Sequence, residues 1–269
     1  MDTSNNAAIF GALHHQPKPL RLPNAWDAGS ALLIESLGAA AIATTSAGVA
    51  WSLGYRDGDV LPLAQHLASV AAIARVIRVP LSVDIEGGYT GEADELEVTI
   101  ARFIDAGAVG INIQDGAAPP DLLCEKIARV RNAAERRGVK LYINARTDVY
   151  ARGLAPAGAR VEETLARAKR YRDAGADGLF VLGVVDPNDI LDIAGGTDLL
   201  LNVIAWPGLP PAAELAALGV RRVSVGSWIP QSLWARTSTL VTNFLADGRS
   251  EPLFDGAAPY SEVNSHFSA

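Results

Sequence analysis

A repeated unit constrains the fold of this chain more than any other sequence feature. Four times, a segment with helical spacing of apolar residues ends at a glycine and an apolar strand follows. The glycines are Gly38, Gly107, Gly175 and Gly219, and the strands are 40–43, 109–113, 179–182 and 223–225. Glycine after the last helical turn adopts the left-handed conformation that ends a helix. The pattern predicts helices and strands in strict alternation.

Four further apolar runs raise the number of strand candidates to eight. They are 20–23, 79–83, 139–143 and 199–204. Eight alternating units favour an α/β fold of the (β/α)8 TIM-barrel type, with residues 1–269 as one domain. An open doubly wound sheet is the alternative, but it would place a glycine fingerprint after the first strand, where the chain reads Pro-Asn-Ala-Trp. Within the single domain, we expect 228–269 to form a C-terminal helix and oligomerisation tail.

Composition excludes several classes of function. The net charge of −7 argues against a nucleic-acid surface, which needs an excess of lysine and arginine. Cys124 is the only cysteine, so no intramolecular disulfide or cysteine-rich zinc site can form. The first twenty residues lack an apolar signal core, and no uninterrupted apolar run of 18 residues follows. We expect a cytoplasmic protein with no membrane or nucleic-acid partner.

The end of the strand at 79–83 carries the most informative chemistry. Asp84 and Glu86 are two residues apart, so on a strand they point to the same side, and Gly87 and Gly88 follow them. Two carboxylates held close repel each other unless a cation intervenes, and Mg²⁺ prefers such oxygen ligands. The alternative is that these acids cap the next helix or pair with arginines.

Other strand ends are also polar, which fits a catalytic mouth at one end of a barrel. They include Asn112, Gln114, Asn144, Arg146, Asp148 and Asn202. A guanidinium beside carboxylates can hold a substrate carboxylate through two hydrogen bonds, which makes Arg146 the main candidate anchor. Its alternative role is a structural salt bridge to Glu86 or Asp148. The hydroxyls near Ser46 can serve an oxyanion or simply cap a helix.

Five ordered motifs resemble the isocitrate lyase and phosphoenolpyruvate mutase superfamily. They are Thr45-Ser46-Ala47-Gly48-Val49, Ser52-Leu53-Gly54-Tyr55-Arg56-Asp57, Asp84-Ile85-Glu86-Gly87-Gly88-Tyr89, Ile113-Gln114-Asp115 and Asn144-Ala145-Arg146-Thr147-Asp148. The match extends from about Leu22 to Ser227. The resemblance implies a (β/α)8 barrel, an exchanged eighth helix, Mg²⁺ (or Mn²⁺) at the mouth and an enolate of a 2-oxo acid.

The resemblance also implies roles for individual residues. Asp84 looks like the direct metal ligand, with Asp57 and Glu86 holding metal-bound water and Gln114 in the outer shell of the metal. Ser46, Ala47 and Gly48 look like the carboxylate and oxyanion cradle. Arg146 looks like the substrate anchor, and we expect Asn112 and Asn202 to contact substrate. Tyr89, or a water on the metal, is the expected proton donor.

Departures from the family pattern reduce the number of reactions that we expect this chain to catalyse. After Gln114, the cleaving lyases carry a Lys-Lys-Cys-Gly-His segment and the phosphonate enzymes carry a longer loop with lysine and asparagine. Here the chain reads Asp-Gly-Ala-Ala-Pro-Pro, with Cys124 just beyond, so isocitrate cleavage is not expected. Gln114 replaces a glutamate and should weaken metal binding. Cys124 is more typical of a small buried thiol than of a catalytic one.

We therefore expect a Mg²⁺-dependent lyase that cleaves or decarboxylates a small 2-oxo or 2-hydroxy dicarboxylic acid through an enolpyruvate-like intermediate. One alternative is P–C chemistry of the carboxyvinyl-carboxyphosphonate or phosphoenolpyruvate mutase kind. Another is a barrel that binds a ligand without turnover. The apolar residues of 228–245 lie on more than one helical face, which predicts a homodimer or homotetramer.

Overall fold

The computed structural model describes residues 3–91 and 93–267, which form two compact units that divide between Gly226 and Ser227. In the first unit, parallel strands alternate with helices around an almost closed barrel. The α/β fold of the (β/α)8 TIM-barrel type is therefore confirmed. Whether both units belong to one domain stays a prediction, as does the exchange of a C-terminal helix.

The strands all run parallel, in the order β1-β9-β8-β7-β6-β5-β4-β3-β2. Their bounds are β1 (Leu20–Leu22), β2 (Asn24–Ala25), β3 (Ile42–Thr44), β4 (Leu81–Asp84), β5 (Ala108–Gln114), β6 (Tyr142–Thr147), β7 (Gly178–Val181), β8 (Leu200–Ile204) and β9 (Arg222–Ser224). Each of the eight predicted strands overlaps one of them. The largest shift is at β6, because Val139 belongs to the turn that ends the preceding helix and donates its N–H to Ala134 O at 3.1 Å.

The barrel closes at β1 and β2, two short consecutive strands that pair with different neighbours. β1 pairs with β9, and β2 pairs with β3, with only Pro23 between them. The side chain of Asn24 joins the two neighbours. Its Oδ1 accepts from the backbone N–H of Val225 at 3.0 Å and of Gly226 at 2.9 Å, and its Nδ2 donates to Thr44 O at 2.7 Å. Proline can stand here because its missing N–H falls at the change of partner.

The helices of the first unit are α1 (Thr3–Leu13), α2 (Ala28–Ser36), α3 (Ser46–Ser52), α4 (Leu63–Val76), α5 (Ala93–Asp105), α6 (Pro120–Arg136), α7 (Arg160–Asp173), α8 (Pro187–Gly195) and α9 (Ala212–Ala217). The apolar spacing after Cys124 predicts a helix over 125–136, and the structure extends this helix back to Pro120. The helix begins earlier because proline is favoured at the first helical position, and Cys124 therefore lies inside its second turn.

Helix α1 closes the end of the barrel at the amino termini of the strands. The ring of Phe10 contacts Gly110, where a Cβ would lie only 2.6 Å from it, so a side chain at Gly110 would displace the helix. His14 stacks on Tyr142 with ring centroids 4.1 Å apart, and Phe10 meets the same ring edge-on at 5.5 Å. The opposite end, where the strands finish, is the end that carries the acidic and basic side chains.

The second unit contains α10 (Trp228–Asp247), α11 (Glu251–Phe254) and α12 (Tyr260–Ser265). The predicted C-terminal helix is thus present, and it ends at Gly248 in the left-handed conformation, with φ of 69°. Its large apolar side chains are exposed, including Trp234 at 69% and Phe244 at 45%. Among the described residues, no helix is both long enough and apolar enough to cross a bilayer.

His66 is a buried titratable group in the wall of the first unit. It lies on α4, is fully buried, and packs edge-on against Tyr89 and Phe103 at 5.4 and 5.0 Å. Within the described residues, neither ring nitrogen has a hydrogen-bond partner. Burial disfavours the imidazolium and lowers the pKa of His66 from 6.5 to about 4.

This lowered pKa predicts a loss of stability in mild acid. Between pH 6.5 and 4, His66 is protonated in the unfolded chain but neutral in the folded chain. The free energy of unfolding therefore falls as the pH falls through that range. The contribution is roughly 3 kcal/mol. His66→Phe should flatten that part of the profile, measured by urea unfolding at a series of pH values. His15→Phe, at an exposed position, is the control, and equal slopes in both variants would contradict the assignment.

Candidate functional site

The acidic residues collect where β4 ends. Asp84 closes the strand, Glu86 and Tyr89 follow in the β4–α5 loop, and the loop after α3 brings Asp57 and Asp59 against them. Asp84 is partly buried and Glu86 is 3% exposed, whereas Asp57 and Asp59 are exposed. The structure therefore brings together Asp84, Glu86 and Asp57, the three acids that the sequence predicts for a metal site.

Hydrogen bonds tie the two loops together in an arrangement we call the clasp, formed by Asp59, Glu86 and Tyr89. The backbone N–H of Asp59 donates to Glu86 Oε2 at 2.6 Å, and Tyr89 Oη donates to Glu86 Oε1 at 3.1 Å. In return, Asp59 Oδ1 accepts from the N–H groups of Gly87 at 3.1 Å and Tyr89 at 3.3 Å. Lys126 of α6 donates to Gly87 O at 2.5 Å and holds the same loop from outside.

The backbone of the clasp is strained. Within residues 3–91 and 93–267, the non-glycine residues with left-handed φ angles are Asp59 at 56°, Glu86 at 52° and Tyr89 at 61°. A non-glycine residue in this region costs about 1 to 3 kcal/mol, and such residues concentrate at functional sites. All three belong to one hydrogen-bonded group beside Asp84. The position of the strain therefore supports this loop pair as the candidate functional site.

Burial raises the pKa values of the acids, and the neighbouring carboxylates add to this effect. Burial, together with the carboxylates of Asp57, Asp59 and Asp84, raises the pKa of Glu86 to about 7, against the lowering effect of the hydrogen bond from Asp59. Burial also raises the pKa of Asp84, which the charge of Arg146 opposes. A cation placed among these oxygens would relieve the repulsion and favour the ionised forms.

The donor set fits a hard divalent cation held mainly through water. No group of three or more histidine, cysteine or acidic side chains in the described part of the chain is arranged to ligate a metal directly. Mg²⁺ does not require one, because it commonly keeps several waters and binds proteins through one or two carboxylates. Asp84 can supply the direct oxygen, while Glu86 and Asp57 can accept hydrogen bonds from coordinated water.

Ser46 lies at the first turn of α3, which the sequence did not predict. Thr45 caps this short helix and accepts from the N–H of Gly48 at 3.5 Å. The Ser46 side chain hydrogen-bonds Asp84, and Thr44 Oγ1 accepts from the N–H of Asp84 at 2.9 Å. Thr45 thus caps the helix, while Ser46 faces the candidate metal ligand, and a role for Ser46 in binding an oxyanion stays a prediction.

Arg146 forms a buried two-point salt bridge with Asp148. Its Nε and Nη2 donate to the two carboxylate oxygens at 2.7 and 3.1 Å, and its Cζ lies 5.9 Å from the centre of the Phe180 ring. The alternative of a pairing with Asp148 is thus present in the structure. The salt bridge leaves other N–H groups of Arg146 available, because a guanidinium has five N–H donors. The positive charge of Arg146 also opposes the rise in the pKa of Asp84.

Asn112 and Asn202 lie inside the barrel. Asn144 Nδ2 donates to the Oδ1 atoms of both, at 2.9 Å each, and Arg222 Nη2 donates to Asn112 Oδ1 at 3.1 Å. Asn112 is 4% exposed and Asn202 is fully buried. Their amide oxygens serve this internal network, so the predicted contact with substrate has no support from the geometry.

Gln114 stands at the end of β5, in register with Arg146, and its N–H donates to Glu86 O at 2.9 Å. It is therefore placed beside the acids, as predicted. The segment after it, residues 115–119, is a short turn closed by Ala118 N–H to Asp115 O at 2.9 Å, and α6 begins at Pro120. Burial raises the pKa of the partly buried Cys124 thiol, which disfavours the reactive thiolate.

Sequence reasoning missed Asp59 and Lys126 at this site. The carboxylate of Asp59 lies two residues beyond Asp57, and the spacing Asp-Gly-Asp was the available signal. Lys126 gave no local signal, because it reaches Gly87 from a helix 39 residues away. Asp148 is one of the polar strand ends and Asp115 belongs to one of the five motifs, but the hydrogen bond between them was not visible in the sequence.

The chain is similar to proteins of one family over most of its length. The family model for phosphoenolpyruvate phosphomutase matches residues 10–245. An uncharacterized protein of Mycobacterium tuberculosis strain H37Rv is 37% identical over 260 residues, which is 95% of each chain. A candidate phosphonomutase from Burkholderia cenocepacia J2315 has a crystal structure with a TM-score of 0.84 and 37% identity, covering 90% of this chain and 99% of that one.

Two further similarities bear on chemistry and on fold. An oxaloacetate decarboxylase of Pseudomonas paraeruginosa strain PA7 is 31% identical over 232 residues, which is 81% of this chain and 78% of the relative. A phosphonopyruvate hydrolase solved with oxalate and Mg²⁺ shares the fold, with a TM-score of 0.84 and 21% identity over 97% of this chain and 94% of that one. The chain therefore belongs to the phosphoenolpyruvate phosphomutase family, within the superfamily of isocitrate lyase and phosphoenolpyruvate mutase enzymes.

Proposed function

We propose that this protein is a Mg²⁺-dependent lyase that decarboxylates or cleaves a small 2-oxo or 2-hydroxy dicarboxylic acid, in the cytoplasm. One observation carries the proposal: at one end of the barrel, the positive charge of Arg146 lies close enough to the acidic group around Asp84 to act on the pKa of Asp84. A dicarboxylate needs both a cation-binding group and a guanidinium, because its two anionic ends must each be neutralised. The relative that decarboxylates oxaloacetate supports this substrate class.

Each residue has a separate part in this proposal. Arg146 binds and orients one substrate carboxylate, and the hydroxyl of Ser46, with the first turn of α3, orients the other end. Asp84 supplies the direct oxygen to Mg²⁺, while Glu86 and Asp57 hold its water. When bound, Mg²⁺ polarises the 2-oxo group and stabilises the negative charge that develops there.

The reaction then needs one bond cleavage and one proton. In decarboxylation, the bond from C3 to the distal carboxylate breaks, carbon dioxide leaves, and the electron pair forms an enolpyruvate-like anion. A proton delivered to C3 gives the 2-oxo acid product. Tyr89 is the proposed donor, since its hydroxyl lies at the site, where a hydrogen bond to Glu86 Oε1 at 3.1 Å holds it.

P–C chemistry is the second candidate, and the family model together with the B. cenocepacia structure favours it. Against it stands the turn at 115–119, which is short and contains neither lysine nor asparagine. A barrel that binds a ligand without turnover is the third candidate, motivated by Gln114 and by the same short turn.

Turnover measurements distinguish these candidates. We expect the protein with Mg²⁺ to convert oxaloacetate to pyruvate above the enzyme-free rate at the same Mg²⁺ concentration, and to stop with EDTA. Asp84→Asn should lower kcat/KM by at least about 100-fold, whereas Asp105→Asn, in an exposed ion pair on α5, should have no effect. Turnover of phosphonopyruvate instead would favour P–C chemistry, and turnover of neither would favour a binding protein.

Metal binding is measured independently by calorimetric titration with Mg²⁺. Asp84→Asn should abolish binding, and Glu86→Gln and Asp57→Asn should weaken it by about 10- to 100-fold, because they act through water. Gln114→Glu restores a negative charge and should tighten binding. Gln16→Glu adds the same charge at an exposed position near α1 and is the control. Wild-type protein that binds no Mg²⁺ would refute the assignment.

We also propose that the protein is a homodimer or homotetramer joined through its second unit. The support is the exposure of large apolar side chains on α10–α12, which water disfavours and a partner copy would cover. Trp234→Ser combined with Phe244→Ser should lower the molecular mass in light scattering at micromolar concentration. Leu37→Ser, which changes a 78% exposed leucine in the first unit, should leave the mass unchanged. A monomeric wild type would contradict the proposal.

A further inference from the structure

We propose that Asp148 is a positioning residue for substrate binding, and that Asp115, Arg167 and Tyr171 act through it. Asp148 would fix the guanidinium of Arg146 in the orientation that presents its remaining N–H groups to an anionic substrate. This inference rests on the proposed function of Arg146 as the substrate anchor.

The contact between Asp148 and Arg146 determines an orientation as well as a distance. Two N–H groups of one guanidinium meet both oxygens of one carboxylate, at 2.7 and 3.1 Å, so the two planar groups are held edge to edge. Asp148 is 1% exposed in its side chain and Arg146 is 17% exposed. The aspartate is thus enclosed, while the arginine retains access to the mouth of the barrel.

Asp148 is itself held from behind. Its backbone N–H donates to Asp115 Oδ1 at 3.0 Å. The other oxygen of Asp115 accepts from Arg167 Nη1 at 2.8 Å and from Tyr171 Oη at 2.7 Å. Asp115 follows β5, Asp148 follows β6, and both donors to Asp115 come from α7. The chain of contacts therefore links two neighbouring strand ends to the helix outside them.

The charges of this group leave Arg146 available to an anion. Asp148 Oδ2 also accepts from Arg152 Nε at 2.9 Å, so its single negative charge is shared between two guanidinium groups. Arg146 is consequently only partly neutralised, and its charge still acts on Asp84. A buried ion pair contributes little net stability compared with apolar packing, which makes a positioning role the better explanation of this group.

A second arginine–aspartate pair, which is partly buried, provides the control. Arg131 Nη2 donates to Asp177 Oδ2 at 2.7 Å, and the same oxygen accepts from the N–H of Ile143 at 2.8 Å. This pair involves the neighbouring strands β6 and β7, but it lies where they begin rather than where they end. Asp177→Asn thus breaks an ion pair of similar construction away from the mouth.

Oxalate is the probe, titrated calorimetrically into protein saturated with Mg²⁺. Arg146→Met should weaken oxalate binding by about 100-fold, and Asp148→Asn should weaken it on the order of ten-fold, with Mg²⁺ affinity unchanged within about two-fold. Asp177→Asn should lower the melting temperature and leave oxalate affinity unchanged. Tyr171→Phe removes one hydroxyl without emptying the site, so it should fold and weaken oxalate binding by roughly two- to ten-fold.

The double variant Arg146→Met/Asp148→Asn tests whether Asp148 acts through Arg146. We expect it to bind oxalate as weakly as Arg146→Met alone, because a positioning residue has no effect once the positioned group is gone. Effects that multiply in the double variant would overturn the inference. If Arg146→Met weakened oxalate binding but Asp148→Asn and Tyr171→Phe left it unchanged, the inference about Asp148 would be wrong and the proposed function would stand. Unchanged affinity in Arg146→Met would overturn the proposed function as well.

Discussion

Mutual repulsion of carboxylates at the end of β4 is the constraint on which the rest of the site depends. Asp84 and Glu86 follow one strand, and Asp57 and Asp59 come from the loop after α3, so the negative charges are assembled from two loops. Such a group persists only because backbone N–H donors, Lys126 and Arg146 oppose the repulsion. The barrel supplies the rigid frame that keeps these opposing charges at fixed positions.

The fold was predictable because its signals are local. Glycine caps, apolar runs and the two-residue spacing of Asp84 and Glu86 are all read within a few residues. Helix α3 was missed because it is only seven residues long and contains Gly48 and Val49; burial of five of its residues stabilises it rather than propensity. Local pattern therefore predicts the longer strands, whereas tertiary packing decides short elements such as the two-residue strand β2 and helix α3.

The site was predictable only to the level of residue type. The acids and Arg146 could be named, but their partners come from distant parts of the chain. Tyr171 is 56 residues from Asp115, and Asp59 is 27 residues from Glu86. Asn112 and Asn202 show a different limit, since polar residues at strand ends can also lie in the barrel interior, where both of these accept hydrogen bonds from Asn144. The sequence does not specify the partners of these side chains, and the partners decide whether a polar residue at a strand end serves the candidate site or the barrel interior.

The left-handed backbone of the clasp has a consequence for protein engineering. Glycine adopts that conformation without steric cost, so substitution by glycine at Asp59, Glu86 or Tyr89 would relieve backbone strain. It would also remove side-chain hydrogen bonds that tie the two loops together. The same substitution would delete a carboxylate or a hydroxyl from the candidate site. Backbone strain, the link between the two loops and the chemistry of the candidate site therefore depend on the same three positions, so an engineered change at any of them alters all three together.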